Sequence, residues 1–129
     1  RGFLLPRLLP LGQTAAILVS GVIWGIWHAP VILQGHNYPQ RPLLGAFMMI
    51  GFTVLLGVFL SWLYLETRSP WAPALAHGTI NAVAGLPMLF FTELDIIWGG
   101  TVTSLTGWAS LILVVGYLYW RKLLPVEGR

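Results

Sequence analysis

The chain has 129 residues, 57% of them hydrophobic and only 9% charged, with a mean hydropathy of +0.78. A soluble domain carries about a quarter charged residues, so this composition excludes an ordinary water-soluble globule and calls for a bilayer as solvent. The net charge of +3 arises from few groups and excludes the dense basic surface that nucleic acid requires, while the absence of cysteine removes disulfides, thiolate metal sites and cysteine nucleophiles together.

A membrane-spanning helix needs about 20 mostly apolar residues, and four windows qualify. Before the first, the chain opens with RGFLLPRLLP; it begins at Arg1 rather than methionine and shows no signal-peptide pattern, so a fragment or processed product is expected. The first window covers residues 13–33, with Pro30 expected to end or kink the helix near Ala29. The loop QGHNYPQRP (34–42) has turn chemistry. The second window, 43–65, is 23 uncharged residues long and is followed by the polar link ETRS (66–69). The third, 70–91, contains Pro70, Pro73 and Pro87, the first two suited to an initial helical turn. An acidic loop, TELDIIWGG (92–100), leads to the fourth window, 101–120, which closes on Arg121 and Lys122. The expected architecture is an all-α polytopic transmembrane bundle of about four helices, with residues 1–129 forming one membrane-embedded domain.

Cationic residues fix the orientation of such bundles, because they are retained on the cytoplasmic side. With the N-terminus inside, Arg1, Arg7, Arg68, Arg121, Lys122 and Arg129 are cytoplasmic, and only Arg41 of the seven Lys and Arg residues is outside, alongside Glu93 and Asp95. Both termini are therefore expected in the cytoplasm. Trp62, Tyr64, Trp71, Tyr117, Tyr119 and Trp120 cluster near the predicted inner boundary, as interfacial aromatics do.

Polar side chains within membrane segments are costly and face the bundle interior or a wet cavity. Those expected inside are His28, His77 and Asn81. His77 and Asn81 are four apart and share one helix face, as do Trp24 and His28. The two faces can meet across a cavity, and Gly25 and Gly78 would let a neighbouring backbone or a substrate approach. The same residues admit plainer readings. A membrane histidine is commonly an interhelical hydrogen bonder, and Asn81 can serve as polar glue. Two histidines, His28 and His77, could also bind a divalent metal such as zinc, although zinc takes three or four protein ligands, or hold a haem as axial ligands. His36, between Gly35 and Asn37, reads as a solvated turn residue. Glu66, Glu93 and Asp95 read as solvated acids.

WGIWHAP (24–30) resembles the second motif of the CAAX-protease and bacteriocin-processing family of intramembrane proteases, an aromatic residue four before a histidine. HGTIN (77–81) resembles its third motif, a histidine four before an asparagine. The opening RGFLLPRLLP resembles the end of its first motif, two glutamates, three variable residues and an arginine, with Arg1 as that arginine. The resemblance covers Arg1 to about Gly85. It implies an intramembrane endopeptidase in which a motif glutamate, at a position with no counterpart in residues 1–129, activates water. By the same resemblance His28 positions or polarises that water, His77 and Asn81 orient it or stabilise the oxyanion, Arg1 holds a motif glutamate, and Trp24 walls the pocket. It implies no obligatory cofactor, a divalent metal on His28 and His77 being the alternative. The partners implied are the lipid bilayer and a peptide or protein substrate, prenylated or bacteriocin-like. The implied location is an integral membrane protein of a bacterial plasma membrane, and residues 1–129 alone are expected to be inactive. A non-catalytic immunity or scaffold protein of the same fold is the other reading.

Depth along the helices poses a question. At about 1.5 Å per residue, His28 lies roughly 20 Å and His77 about 10 Å from the inner end of its own helix. For them to meet, the first helix is expected to start deeper or tilt, or residues 8–12 to form a re-entrant entry.

Overall fold

The computed structural model describes residues 2–90, apart from the side chain of Met88, and residues 95–125. Arg1, Glu93 and Arg129, all singled out in the sequence, lie outside the described residues, as does position 91 at the end of the third window. A short helix α1 (Leu4–Leu8) runs into a 3-10 turn (Leu9–Leu11). It is followed by α2 (Gln13–Leu33), α3 (Pro42–Thr67), α4 (Trp71–Val83), α5 (Pro87–Phe90) and α6 (Leu105–Trp120). No strand occurs among the described residues, in keeping with the all-α expectation.

Local chemistry explains the boundaries. Pro42 opens α3 where its missing N–H falls on a donor that no helix pairs anyway. Arg68 ends the same helix in the left-handed region, φ 51°, with its N–H on the Tyr64 carbonyl at 2.8 Å. Ser69 Oγ accepts the Trp71 N–H at 3.3 Å as α4 starts. Pro30 does not end α2, which continues to Leu33. The proline still removes one intrahelical donor, but Ile32 beyond it is fully buried and the Gln34 amide bonds back to the Pro30 carbonyl at 3.0 Å. Packing outweighs the local bias.

Two helices, α2 with 21 residues and α3 with 26, are long and apolar enough to cross a membrane. The other two windows give shorter helices. Residues 70–91 divide at 84–86 because Pro87 disfavours helix at the residue before it, leaving α4 with 13 residues, about 20 Å. In window 101–120 the first four residues form a turn instead, Ser104 Oγ donating to the Thr101 carbonyl at 2.6 Å. Accordingly α6 has 16 residues. Both fall short of the roughly 30 Å hydrocarbon core.

The bundle is held mainly by α2 against α3. A Cβ on Gly21 would come within 2.8 Å of Val54 Cα, and one on Gly25 within 2.5 Å of Ile50 Cα, so the backbones touch. Gly21-Val-Ile-Trp-Gly25 is the small-xxx-small pattern of membrane helix pairs. At this crossing Thr53 Oγ lies 3.0 Å from the Gly21 carbonyl across the interface, and 2.9 Å from that of Met49 on its own helix. Gly78, by contrast, has open space where a Cβ would stand; it brings no backbone close.

Two buried clusters form the core of the bundle. One gathers Leu5, Ala16, Ile17, Val58 and Leu118, the start of α2 with the ends of α3 and α6. The other joins Ile32, Tyr38, Met48, Met49 and Ile96 and continues along α3 through Phe52 and Leu56 to Leu60, tying the end of α2 and the 34–41 loop to α3 and to the stretch before α6. Val22, Ile26, Leu113 and Trp120 are exposed on the outside of the bundle, the apolar-outward arrangement that lipid favours.

Candidate active site between α2, α3 and α4

Both α2 and α4 lie beside α3, and cavities fill the space between them. Trp24, one turn before His28 on α2, is the side chain that bridges it. Its ring stands 5.1 Å from the His77 ring, edge to face, and 5.8 Å from the His28 ring. Trp27 meets His28 edge to face at 5.1 Å. Motif residues from two helices thus converge on one indole. Pro70 and Pro73, at the start of α4, line a common cavity with Ser20 and Ile23 of α2. Gly2 lies against Pro70, where an added Cβ would be 3.2 Å from the proline Cβ, which places the N-terminal segment at the mouth of α4.

His28, His77 and Asn81 line a cavity of about 500 Å³ with Trp24, Thr53 and an apolar floor that includes Met49, Phe52 and Ile80. A second cavity, about 540 Å³, lies on the other side of Trp24 and His77, walled by Leu4, Leu5, Ile23, Leu60 and Pro73. Trp24, Trp27 and His77 line both.

The hydrogen bonds define the histidine tautomers. His28 Nδ1 is 2.8 Å from the Trp24 carbonyl; a carbonyl only accepts, so Nδ1 carries the proton and the neutral ring keeps Nε2 as an acceptor. Asn81 Nδ2 is 3.3 Å from His77 Nε2. An amide nitrogen only donates, so His77 Nε2 accepts, through a bond at the long end of the useful range. Each Asn81 amide has two N–H groups, and the second remains for another acceptor. The site therefore offers an imidazole nitrogen that can take a proton beside an amide that can donate to an oxyanion.

A metal reading meets a shortage of ligands. Among the described residues no group of three His, Cys, Asp or Glu stands close enough to hold an ion, and His28 with His77 is fewer than the three or four that zinc takes.

Several lining residues escape sequence reasoning. His36, expected as a solvated turn residue, is exposed but lines the same cavity as His28 and His77, with Asn37, Thr101 and Thr103. The loop 34–41 turns back over the cavity through Gly35 at φ 96° and Asn37 at φ 60°. The glycine and asparagine flanking His36 were the available signal, since both favour left-handed turns. Nothing in the sequence brings Thr101 and Thr103 to that loop; the long-range bond from the Tyr38 hydroxyl to the Thr103 carbonyl, 2.7 Å, does so.

No curated protein and no solved structure matches the chain. The family described as type II CAAX prenyl endopeptidase Rce1-like matches residues 1–83, the stretch that holds Trp24, His28, His77 and Asn81. With two helices fit to cross a bilayer and a family match over more than half its length, the chain is an integral membrane protein that belongs to the Rce1-like family of type II CAAX prenyl endopeptidases.

Proposed function

We propose that the protein is an intramembrane endopeptidase that hydrolyses peptide bonds with water activated by a glutamate of the first motif, N-terminal to Arg1. The observation that carries this reading is the convergence of Trp24, His28, His77 and Asn81 on one 500 Å³ cavity. Peptide hydrolysis needs a base for water and donors for the developing oxyanion. His28 Nε2 accepts from the attacking water and fixes its approach. Asn81 donates its free N–H to the oxyanion, a role that needs no change of protonation, while its other N–H anchors His77. Trp24 holds both rings in place. Arg1 neutralises a motif carboxylate, the role that the family resemblance implies for it. No step here requires a metal. The substrate class is a peptide or protein, with prenylated and bacteriocin-like peptides as the first to be tried. Residues 1–129 hold no glutamate at the motif position, so by this reading they do not hydrolyse peptides alone.

The test uses the full-length protein in lipid vesicles and internally quenched peptides, prenylated and not. Cleavage by wild type is expected, with His77→Ala lowering kcat/KM by about a hundredfold or more and leaving membrane insertion intact. Undiminished cleavage by His77→Ala removes the assigned role. Inactivity of wild type on every peptide favours a non-catalytic member of the same fold, in the manner of an immunity or scaffold protein.

A further inference from the structure

We propose that the end of the bundle where α1 meets the close of α6 binds the phosphate headgroup of an anionic membrane lipid through Arg7, Arg121 and Lys122. These cations come from opposite ends of the sequence. One buried cluster brings them together: it packs Leu5, Leu8 and Leu9 of the opening segment with Leu118, Leu123 and Leu124 at and beyond the end of α6. Arg7 stands on the first of these stretches, Arg121 and Lys122 on the second, and all three are exposed. Arg68, at the end of α3, adds a fourth cation, and Glu66 is the one acid at this end among the described residues. The surplus of positive charge is unanswered within the described chain. Cations at a membrane boundary attract anionic headgroups, and a phosphate takes up several N–H donors at once.

Local structure holds these heads in place. The Arg7 guanidinium lies 3.6 Å over the Phe3 ring, and its Nη1 donates to the Phe3 carbonyl at 3.2 Å. Most of its five N–H groups remain for an outside acceptor. Past α6 the chain reverses at Lys122, φ 54°, whose N–H bonds the Tyr119 carbonyl at 3.0 Å, while the Leu123 N–H returns to the Leu118 carbonyl at 2.8 Å. Left-handed backbone is unfavourable for a residue with a side chain; here it buries Leu124 and leaves Lys122 outside. The dipole of α6 accounts for a cation at its end, but not for Arg7 being gathered beside it from another segment. The ligand's apolar part is met as well. Leu113, Tyr117 and Arg121 follow one another at intervals of four on one helix face, and Leu113 and Tyr117 are exposed. An acyl chain can lie along that strip with its phosphate at Arg121. Free phosphate gains nothing from the strip, so the ligand is a lipid.

The experiment titrates the full-length protein, in an uncharged detergent, with dioleoyl phosphatidylglycerol or with zwitterionic dioleoyl phosphatidylcholine, and counts bound lipid by native mass spectrometry. About a tenfold tighter Kd for phosphatidylglycerol is expected. Arg7→Gln, and Arg121→Gln combined with Lys122→Gln, are each expected to remove most of that preference. Arg121→Lys combined with Lys122→Arg should keep it, and Arg41→Gln, on the loop between α2 and α3, should leave it unchanged. Inorganic phosphate in excess should not displace the lipid. Equal binding of the two lipids, or a preference untouched by either set of glutamine variants, overturns the proposal. So does an equal loss in Arg41→Gln, which would mark attraction to net charge alone, and so does displacement by inorganic phosphate, which would mark a site for the free anion.

Discussion

At Trp24 one residue serves two histidines by different means. Its indole edge sets the His77 ring, while its backbone carbonyl accepts from His28 and so decides which nitrogen of that ring is left for chemistry. Tyr38 plays the corresponding part at the cavity mouth, and its chemistry yields a prediction. Burial pushes its phenol above the ordinary value of 10.0, with the contact to Thr103 pulling partly the other way. The folded chain therefore holds this proton more tightly than the unfolded chain does. The stability that Tyr38 contributes is full below pH 10 and is lost as pH rises past it. Tyr38→Phe should lower stability at pH 8 by about 1 kcal/mol, the worth of a typical hydrogen bond. The gap to wild type should then shrink as pH rises above 10. Thermal unfolding in detergent across that range measures it, and a constant gap would contradict the assignment.

Among the helices, the α2–α3 crossing is the least forgiving contact. Gly25 leaves 2.5 Å between a would-be Cβ and the Ile50 Cα, whereas Gly78 leaves open space. Gly25→Ala should cost about 1–3 kcal/mol through overpacking, and Gly78→Ala should be neutral or slightly stabilising in the α4 helix. Chemical or thermal denaturation of the two variants side by side checks this, and equal effects would argue against a tight crossing. The same contrast explains what could be read in advance. The span of α2 matches the first window at both ends because the apolar run outweighs the local signal of Pro30 within it. The i, i+4 pairs Trp24–His28 and His77–Asn81 were legible because helical periodicity alone puts each pair on one face. Pro30 does not end the helix, because its bias is local while the burial of Ile32 is tertiary. The shortness of α4 and α6 was hidden for the converse reason: hydropathy averages over Pro87 and over the Thr101–Ser104 turn, which are set by backbone hydrogen bonds. His36, Thr101 and Thr103 were illegible as site residues because loop paths have no period to read.

Over the whole molecule charge is sorted by end. The end where α2 starts and α3 and α6 finish carries Arg7, Arg68, Arg121 and Lys122, all of them exposed. The loops at the other end carry Arg41 and Asp95 among the described residues. Retention of cations on the cytoplasmic side predicts the basic end inside and the 34–41 loop outside. The lack of native cysteine makes the test clean. In intact cells a membrane-impermeant thiol reagent should modify Gln40→Cys and spare Ser69→Cys until the membrane is opened. The reverse pattern would invert the molecule.

The edge-to-face contact between Trp24 and His77 has a spectroscopic consequence as well. An imidazolium in contact with an indole quenches its emission, whereas a neutral imidazole does so weakly. In a chain whose other six tryptophans, of seven in total, are replaced by phenylalanine, the brightness of Trp24 would follow the protons on the two rings it touches. The protein then carries its own optical titration of the candidate site, readable in a bilayer before any substrate is known.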